Sequence, residues 1–314
     1  MKNFGLIGAA GYIAPRHMAA IKGTGNCLVA AMDPADSVGI LDSYFPESAF
    51  FSEFERFDRH IDKLRRAGQN EQVDYISICS PNYLHDSHMR FALRSDADAV
   101  CEKPLVLNPW NIDGLLEVER STGRRVNTIL QLRLHPAIIA LRQRVFDARA
   151  ERKKFEVDLT YVTGRGRWYL HSWKGDERKS GGIASNIGVH FFDMLYFVFG
   201  DLQRVEVHIS EATRAAGYLE YSDARVRWFL SLEVADIPTG QKQGIRTYRS
   251  ITVDGDEIEF SDGFADLHTR SYEEILAGRG FSLETNRTAV STVAAIRTAK
   301  AISGGERHPL AQAR

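Results

Sequence analysis

The stretch that decides the fold of the first half of this chain is the glycine turn Leu6-Ile7-Gly8-Ala9-Ala10-Gly11-Tyr12-Ile13-Ala14. A short apolar run precedes it and a helix-like segment follows, so it predicts a strand, a tight turn and a helix. Gly8 permits the turn, and Gly11 lets backbone amides approach a pyrophosphate at the helix N-terminus. Ala14 takes the third glycine position, a replacement that this motif tolerates. The turn therefore predicts a dinucleotide-binding unit.

Outward from the turn, the first 130 residues alternate short apolar runs with helix-like segments. The runs predicted as strands are 4–8, 28–33, 75–80, 99–102 and 126–130. The predicted helices are 15–22, 52–66, 86–95 and 109–121. Such alternation indicates right-handed crossovers and a parallel sheet. We therefore predict an α/β Rossmann domain over residues 1–130.

Beyond residue 135 the pattern changes to strands in which polar and apolar residues alternate, as in half-buried antiparallel strands. These strands are predicted at 154–163, 203–211, 217–221, 224–234 and 247–260, and Asp254-Gly255 indicates a tight hairpin. Residues 136–149 are predicted to be helical. Helices predicted at 186–199, 264–278 and 285–302 cover one sheet face or pack back on the first domain. We predict an α+β domain over residues 131–314 with an open, mostly antiparallel sheet. The tail at 304–314 is expected to fray.

Charge and cysteine content narrow the function classes. The chain has 40 basic and 41 acidic residues, so net charge gives no reason to expect a nucleic acid or an anionic membrane as partner. Cys27, Cys79 and Cys101 are odd in number and widely spaced, which is typical of reduced core residues. The N-terminus does not read as a signal peptide and no apolar run approaches 18 residues. We expect a cytoplasmic protein.

An acidic residue follows the second predicted strand. Asp33 lies 22 residues after Gly11, where a carboxylate binds the adenosine ribose hydroxyls in dinucleotide-binding folds. Because a carboxylate there would repel a 2′-phosphate, the sequence favours NAD over NADP. The alternative is that Asp33 only forms a turn before Pro34.

Two further strand ends carry polar residues toward the expected ligand side of the sheet. Asn82 and His85 follow the strand at 75–80, and His85 could equally bond to backbone at a helix start. Lys103 follows the strand at 99–102 and precedes Pro104. A lysine beside a nicotinamide can hydrogen-bond a substrate hydroxyl and stabilise its charge during hydride loss. The alternative is a surface pair of Lys103 with Glu102.

A glycine loop at 181–182 leads into an apolar helix that carries Asn186 and His190. These residues are four apart, so on an α-helix they share one face. Asp193 could orient the His190 ring, and histidine suits a general base near neutral pH. A satisfied core histidine is the alternative. Since no histidine pair stands at metal spacing, we expect no metal.

The segment at 164–180 is rich in basic and aromatic residues. Cations favour carboxylate and phosphate groups, while aromatic rings stack on sugars and bases. The alternative is a solvated loop. The candidate substrate contacts here are Arg165, Arg167, Tyr169, Trp173 and Lys174.

The glycine turn, Pro81-Asn82 with His85, Glu102-Lys103-Pro104 and the 181–193 element together resemble the glucose–fructose oxidoreductase/inositol dehydrogenase superfamily. The resemblance implies that Lys103 and His190 are the paired catalytic residues. Many members carry an aspartate where this chain has Asn186, so a hydrogen bond to substrate is expected there. Contacts to NAD are expected from Gly8, Gly11, Tyr12, Ile13, Asp33, Ser80, Asn82, His85, Glu102, Lys103, Gln131 and Trp168.

Residues 7–18, 164–180 and 185–190 resemble one subgroup, the bacterial UDP-N-acetyl-2-amino-2-deoxyglucuronate dehydrogenases of surface-polysaccharide (lipopolysaccharide O-antigen) synthesis. The resemblance implies NAD-dependent oxidation of the sugar C3 hydroxyl to a ketone. It also implies a tetramer, and 2-oxoglutarate as re-oxidant is left open. Dimerisation through the open sheet is expected as well, because large exposed apolar patches are rare on monomers. The alternatives are a dehydrogenase of another sugar or polyol and a non-catalytic NAD-binding sensor.

Overall fold

The computed structural model describes residues 1–151, 153–241, 244–258 and 266–312. Its strands are β1 Asn3–Ile7, β2 Cys27–Met32, β3 Ala49–Phe51, β4 Tyr75–Ile78, β5 Asp98–Cys101, β6 Val126–Thr128, β7 Phe155–Thr163, β8 Leu202–Ser210, β9 Arg214–Tyr221, β10 Ala224–Ser231, β11 Thr247–Val253 and β12 Asp256–Glu257. Its α-helices are α1 Ala14–Gly23, α2 Leu41–Tyr44, α3 Phe54–Ala67, α4 His85–Arg94, α5 Trp110–Thr122, α6 Pro136–Ala148, α7 Trp168–His171, α8 Glu177–Ser180, α9 Val189–Phe199, α10 Leu267–Leu276, α11 Leu283–Thr298 and α12 Pro309–Gln312.

Contacts within the chain divide it into two compact units. The first contains residues 1–131 and 266–287, and the second contains the described parts of 132–258 and 288–312. The structure packs 266–287, which follows the boundary predicted near residue 130, within the first unit, and this is the packing-back alternative given for the helix at 264–278. The predicted strand 247–260 and helix 264–278 extend into residues 259–265, which lie outside the described residues.

The first unit is built on a six-stranded sheet in the order β3-β2-β1-β4-β5-β6, with every neighbouring pair parallel. The predicted Rossmann-type parallel sheet is confirmed. Strand β1 is nearly continuous apolar sequence and four of its five residues are buried, as expected where helices cover both sheet faces. The order reverses between β1 and β4, and the loops after the carboxyl ends of strands bind ligands at such a point.

The second unit contains a sheet in the order β12-β11-β7-β10-β9-β8. Its neighbouring strands are antiparallel except for β7 and β10, which pair in parallel. The predicted hairpin is confirmed, because Val253 pairs with Asp256 across Asp254 and Gly255. Both turn residues have positive φ, 52° and 90°, which is the geometry that an Asp-Gly pair favours.

Helix α9 forms the core of the second unit by packing on one face of this sheet. Phe192 meets Trp228 edge to face with ring centroids 5.3 Å apart, and both side chains are fully buried. Burying each such ring stabilises the fold by about 2–3 kcal/mol. The stretch Glu177–Phe199 is long and apolar enough to cross a membrane, but 67% of an 18-residue apolar part of it is buried inside the fold. It is therefore accounted for as core.

The other face of this sheet is covered in part by the C-terminal segment, which was expected to fray. The His308 side chain is 2% exposed, stacks on Phe229 and bonds Thr160. The same face carries ion pairs, among them the two-bond contact of Arg227 with Asp158 at 2.7 and 2.8 Å. This face thus carries charged pairs and, around Phe229, an apolar strip that the C-terminal segment covers. Dimerisation through this face stays a prediction.

His308 is held in one neutral tautomer by its neighbours. The amide of Leu310 donates to its Nδ1 at 3.2 Å, so Nε2 carries the hydrogen and donates to Thr160 Oγ1 at 3.0 Å. Burial and the nearby charge of Arg227 lower the pKa of His308 to about 4. A second proton would meet the Leu310 N–H, so protonation breaks this hydrogen bond.

We predict that His308 makes the protein acid-sensitive between pH 6.5 and 4.5. The unfolded chain takes up a proton near pH 6.5 whereas the native ring does so near 4, so stability falls as pH falls, by about 2 kcal/mol from this group. In His308→Gln, thermal unfolding midpoints measured across this range should fall less steeply than in the wild type. His171→Gln, at an exposed histidine, is the matched control. Parallel slopes in wild type and His308→Gln would refute the assignment.

Candidate active site

The glycine turn closes tightly on the sheet. Gly8 has φ +90°, and a Cβ there would lie 2.6 Å from the carbonyl carbon of Cys79, closer than real Cβ contacts come. The Gly11 amide donates to the Gly8 carbonyl at 3.0 Å. Only glycine fits position 8 because both the backbone angle and the space exclude a side chain.

The end of β2 is tied to this turn by a carboxylate. Asp33 Oδ2 accepts from the Ala10 amide at 2.9 Å, and Oδ1 accepts from the Ala35 amide at 2.9 Å. Asp33 thus forms the turn that was weighed as its alternative role. A carboxylate oxygen accepts more than one hydrogen bond, so the ribose contact stays a prediction.

Helix α1 begins directly after the glycine turn. Ile13 caps it without a side-chain hydrogen bond, and Pro15 stands in its first turn. The N-terminus of such a helix attracts anions through its amides and dipole. Tyr12 beside it is 92% exposed, an unusual position for a large aromatic ring. This geometry fits a bound pyrophosphate.

The end of β4 carries a small buried network. Ser80 Oγ bonds His88 Nδ1 at 2.8 Å, and Asn82 is buried. The His85 ring lies between two carbonyl oxygens, that of Ser80 at 2.9 Å from Nε2 and that of Pro104 at 2.8 Å from Nδ1, and the neutral ring donates to one of them. The ring is 1% exposed and braces two strand ends, which is the backbone-bonding alternative for His85.

Glu102, at the end of β5, lies in a buried cluster of titratable residues. Its Oε1 accepts from His17 Nε2 at 3.0 Å and from His268 Nε2 at 3.1 Å. The surface Glu102–Lys103 pair weighed from sequence is therefore wrong for Glu102, which is 5% exposed. Burial acts to raise the Glu102 pKa, but the two imidazoles outweigh it and hold the pKa well below its usual range.

The cluster continues through two hydroxyls. His17 Nδ1 bonds Tyr272 OH at 2.7 Å, and Tyr272 OH bonds Ser77 Oγ at 2.6 Å. His17, Tyr272 and His268 were missed from sequence. The one available signal was that His268 and Tyr272 stand four residues apart on α10 and so share a face.

Lys103 follows this cluster directly. Its backbone amide donates to Glu102 Oε2 at 3.2 Å, and its own side chain is partly exposed. The predicted catalytic lysine is thus one hydrogen bond from a buried carboxylate in the first unit.

In the second unit, Asn186 lies in a π-helical segment, Ala184–Gly188, that precedes α9. The α-helical spacing assumed between Asn186 and His190 was therefore wrong, since a π-helix bonds i to i+5. Between residues 183 and 195, all described, Asn186 and His190 alone are partly exposed. The Asn186 amide nitrogen donates to Tyr169 OH in a short contact. Single π-turns of this kind often mark functional sites.

Asp193 has a buried partner that the sequence did not predict. Its two oxygens accept from Arg133 Nε at 2.9 Å and Nη2 at 2.7 Å, and both side chains are buried. Its carboxylate therefore anchors α9 through a two-bond ion pair, and its orienting of His190 stays a prediction. Such pairs are costly to break, because one charge is left buried alone.

The basic-aromatic segment forms short helices. Arg165, Arg167 and Trp168 are exposed, Trp173 is partly buried and Tyr169 is 4% exposed. The Lys174 ammonium lies 4.3 Å from the Trp173 ring centroid, a cation–π contact. The segment presents cations and rings at the surface of the second unit.

Comparison with known proteins identifies the family. Residues 2–129 match the oxidoreductase family, NAD-binding Rossmann fold, and residues 153–237 match the oxidoreductase family, C-terminal alpha/beta domain. The WlbA (WbpB) dehydrogenase from Thermus thermophilus, solved in complex with NAD and UDP-GlcNAcA, is 53% identical, with 98% of this chain and 99% of that chain covered and a TM-score of 0.93. The chain belongs to this oxidoreductase family.

A second structure of the Thermus protein, in complex with NAD and alpha-ketoglutarate, is also 53% identical with 98% and 99% coverage and a TM-score of 0.94. Inositol 2-dehydrogenase from Rhizobium meliloti (strain 1021) is 30% identical over 208 residues, 63% of this chain and 55% of that protein. The chain thus spans about half the length of that curated relative. The predicted family, NAD-binding fold and oxidoreductase class are confirmed.

The first unit of this oxidoreductase fits the NAD that its family binds. Gln131 is 7% exposed, and its buried Oε1 has no hydrogen-bond partner among the described residues. A cofactor amide or hydroxyl would satisfy this atom, since buried acceptors are normally paired. Together with the Gly8 turn and the α1 N-terminus, this supports the predicted cofactor side. Lys103 and His190 belong to different units, so their joint action stays a prediction.

We predict that Gly8→Ala weakens NAD binding at least about tenfold, because the added Cβ forces the turn away from Cys79. Titration calorimetry with NAD measures the change. Gly39→Ala is the matched control, since a Cβ at position 39 meets nothing within 4 Å. Equal NAD affinity in the two variants would contradict the close-approach argument.

Proposed function

We propose that this chain is an NAD-dependent dehydrogenase that oxidises the C3 hydroxyl of UDP-N-acetyl-2-amino-2-deoxyglucuronate (UDP-GlcNAcA) to the 3-keto sugar. The observation that carries the proposal is the 53% identity, over 98% of the chain, with the Thermus dehydrogenase that was solved with NAD and UDP-GlcNAcA. The proposed pathway is surface-polysaccharide (lipopolysaccharide O-antigen) synthesis.

The cofactor in this proposal is NAD, which supplies an acceptor for the hydride that leaves C3. The chain's part is to hold it: the Gly8 turn and α1 receive the pyrophosphate, and Asp33 favours a ribose with free hydroxyls over a 2′-phosphate. Gln131 offers its unpartnered oxygen to the same group.

Two side chains of this protein act on the C3 hydroxyl. His190 accepts the proton of the C3 hydroxyl, as a partly exposed imidazole in an otherwise buried helix start is suited to do. The Lys103 ammonium donates a hydrogen bond to the C3 oxygen as negative charge grows on it. Asn186, its amide nitrogen held by Tyr169, positions the sugar.

The substrate's diphosphate and carboxylate call for cations. Arg165 and Arg167 expose guanidinium groups that pair with such anions by two hydrogen bonds, and Trp168 exposes a ring beside them. Charge matching of this kind supports a nucleotide-linked uronate over an uncharged sugar.

The same proposal covers re-oxidation, assembly and location. The Thermus structure with NAD and alpha-ketoglutarate supports 2-oxoglutarate as second substrate. Its keto carbon would take the hydride and its oxygen a proton, giving the 2-hydroxy acid. A homotetramer and a cytoplasmic location complete the proposal, the latter in keeping with three unpaired cysteines.

We predict that Lys103→Met lowers the rate of single-turnover NADH formation from UDP-GlcNAcA by about a hundredfold or more, with NAD affinity changed only modestly. Loss of the ammonium removes charge stabilisation at the C3 oxygen. Stopped-flow absorbance at the NADH band measures the step. Lys63→Met, at an exposed lysine of α3, is the control. Near-normal NADH formation in Lys103→Met would show that Lys103 is not catalytic.

A second candidate is oxidation of a free polyol, favoured by the 30% identity with an inositol 2-dehydrogenase. Stoichiometric NADH detection with UDP-GlcNAcA, inositol and free sugars separates the two. We expect NADH from the nucleotide sugar alone. Activity on inositol without activity on UDP-GlcNAcA would replace the proposal, and inertness toward every alcohol would favour a non-catalytic NAD-binding sensor.

A further inference from the structure

Apart from the NAD contact expected of Glu102, the cluster of His17, Glu102, His268 and Tyr272 has no part in the chemistry assigned above. It draws on three separate segments of the first unit: α1, the end of β5, and α10. All four residues are 5% exposed or less. Buried titratable groups are costly unless they are fully paired, so a cluster of four calls for a reason.

The hydrogen bonds of the cluster run in one direction. A carboxylate can only accept, so His17 and His268 both donate from Nε2 to Glu102 Oε1. Neutral His17 then accepts at Nδ1 from Tyr272 OH, which accepts in turn from Ser77. Every bond from Ser77 to Glu102 thus stabilises the ionised carboxylate.

The charges agree with this direction. Burial lowers the pKa of His17, so its ring is neutral near pH 7, while the pKa of Glu102 is held well below its usual range. Burial, and with it the negative charge of Glu102, raises the pKa of Cys79 and of Cys101 well above the usual value. The cluster therefore holds an ionised Glu102 beside a neutral His17.

The alternative function of this cluster is metal binding, because the ligand atoms of His17, Glu102 and His268 lie within 4.8 Å of one another. The hydrogen bonds argue against it. Both Nε2 atoms are used as donors to Glu102, and His268 Nδ1 has no partner among the described residues. Metal-bound histidines normally donate their other nitrogen to an acceptor.

We propose that His17, His268 and Tyr272 are positioning residues that keep Glu102 ionised, and that Glu102 in turn sets the placement and protonation of Lys103. The link is the hydrogen bond from the Lys103 amide to Glu102 Oε2 at 3.2 Å. The proposal rests on the function proposed above, in which Lys103 acts as an ammonium.

Two physical effects follow from that link. The amide bond fixes the backbone from which the Lys103 side chain extends, so the ammonium is held where the C3 oxygen needs it. The buried negative charge also favours the protonated form of a neighbouring amine. The titratable groups facing Glu102 are His17 from α1, His268 and Tyr272 from α10, Cys79 after β4, Cys101 on β5, and His85.

The test compares Glu102→Gln, His268→Leu and His268→Gln. In Glu102→Gln and His268→Leu, kcat should fall about tenfold or more while KM for UDP-GlcNAcA and NAD affinity change less than about threefold. The basic limb of the kcat–pH profile should move to lower pH, because the ammonium loses its neighbouring anion. His268→Gln keeps an N–H near the Nε2 position and should restore kcat to within about threefold of wild type.

Ser271→Ala is the matched control on α10. Its hydroxyl is buried and bonds only its own helix, at Leu267 O, among the contacts described. This variant should keep the wild-type kcat and pH profile. If the variants lose thermal stability but keep the wild-type basic limb, the cluster is merely structural and the proposal is overturned.

A readout without turnover separates this proposal from the proposed function. Competitive acetylation with acetic anhydride, followed by mass spectrometry, gives the apparent pKa of the Lys103 amine. It should fall in Glu102→Gln and His268→Leu and stay unchanged in Ser271→Ala. If the Lys103 pKa falls in these two variants but the wild type makes no NADH from any alcohol, the proposed function alone is refuted. An unchanged pKa would sink the positioning role alone.

Metal analysis of the purified wild type tests the alternative that the cluster binds a metal ion. We expect no stoichiometric divalent metal. A bound equivalent that is lost in His268→Leu and retained in Ser271→Ala would make the cluster a metal site and overturn the proposal.

Discussion

A carboxylate buried at the end of β5 is the constraint on which the first unit depends. An ionised Glu102 cannot stay 5% exposed unless donors come to it, and the donors come from α1 and α10. Helix α10 is about 165 residues away in the chain, yet it belongs to the first unit, where it packs on α1. The need to compensate one buried charge thus helps to explain why residues 266–287 pack within the first unit, although the chain on both sides of them belongs to the second. The same carboxylate bonds the amide of Lys103, so the packing of distant helices reaches the residue on which the proposed chemistry depends.

The second unit contains an open sheet, and each of its two faces has to be either covered or made polar. One face meets the apolar α9 and is fully buried around Trp228. On the other face, charged side chains pair across β7 and β10, as Arg227 does with Asp158, and the tail at His308 covers the apolar strip near Phe229. Cross-strand ion pairs let a sheet face remain in water without exposing a large apolar patch.

Sequence predicted what local rules decide. The glycine turn, the parallel alternation and the Asp254-Gly255 hairpin depend on neighbours in the chain, and all three were found. Strand β3 was missed because three residues, Ala49–Phe51, give no periodicity. The π-segment at Ala184–Gly188 was read as α-helix, since composition does not distinguish the two. The partners of buried acids could not be predicted at all: His268 is 166 residues from Glu102 and Arg133 is 60 from Asp193, and only tertiary packing joins them.

The two buried acids, Glu102 and Asp193, occupy similar positions relative to the predicted catalytic residues. Each stands next to a predicted catalytic residue that is itself partly exposed: Glu102 precedes Lys103, and Asp193 lies one turn after His190. In each case the acid is tied down by partners from distant sequence, Glu102 by two histidines and Asp193 by Arg133. A side chain that must meet substrate cannot be locked by packing on all sides, because the substrate needs that space. Fixing the neighbouring residue instead fixes the backbone from which the reactive group extends, and leaves the group itself accessible. The precision of the proposed chemistry is therefore set in the buried interior of each unit, one residue or one turn away from the groups that would carry it out.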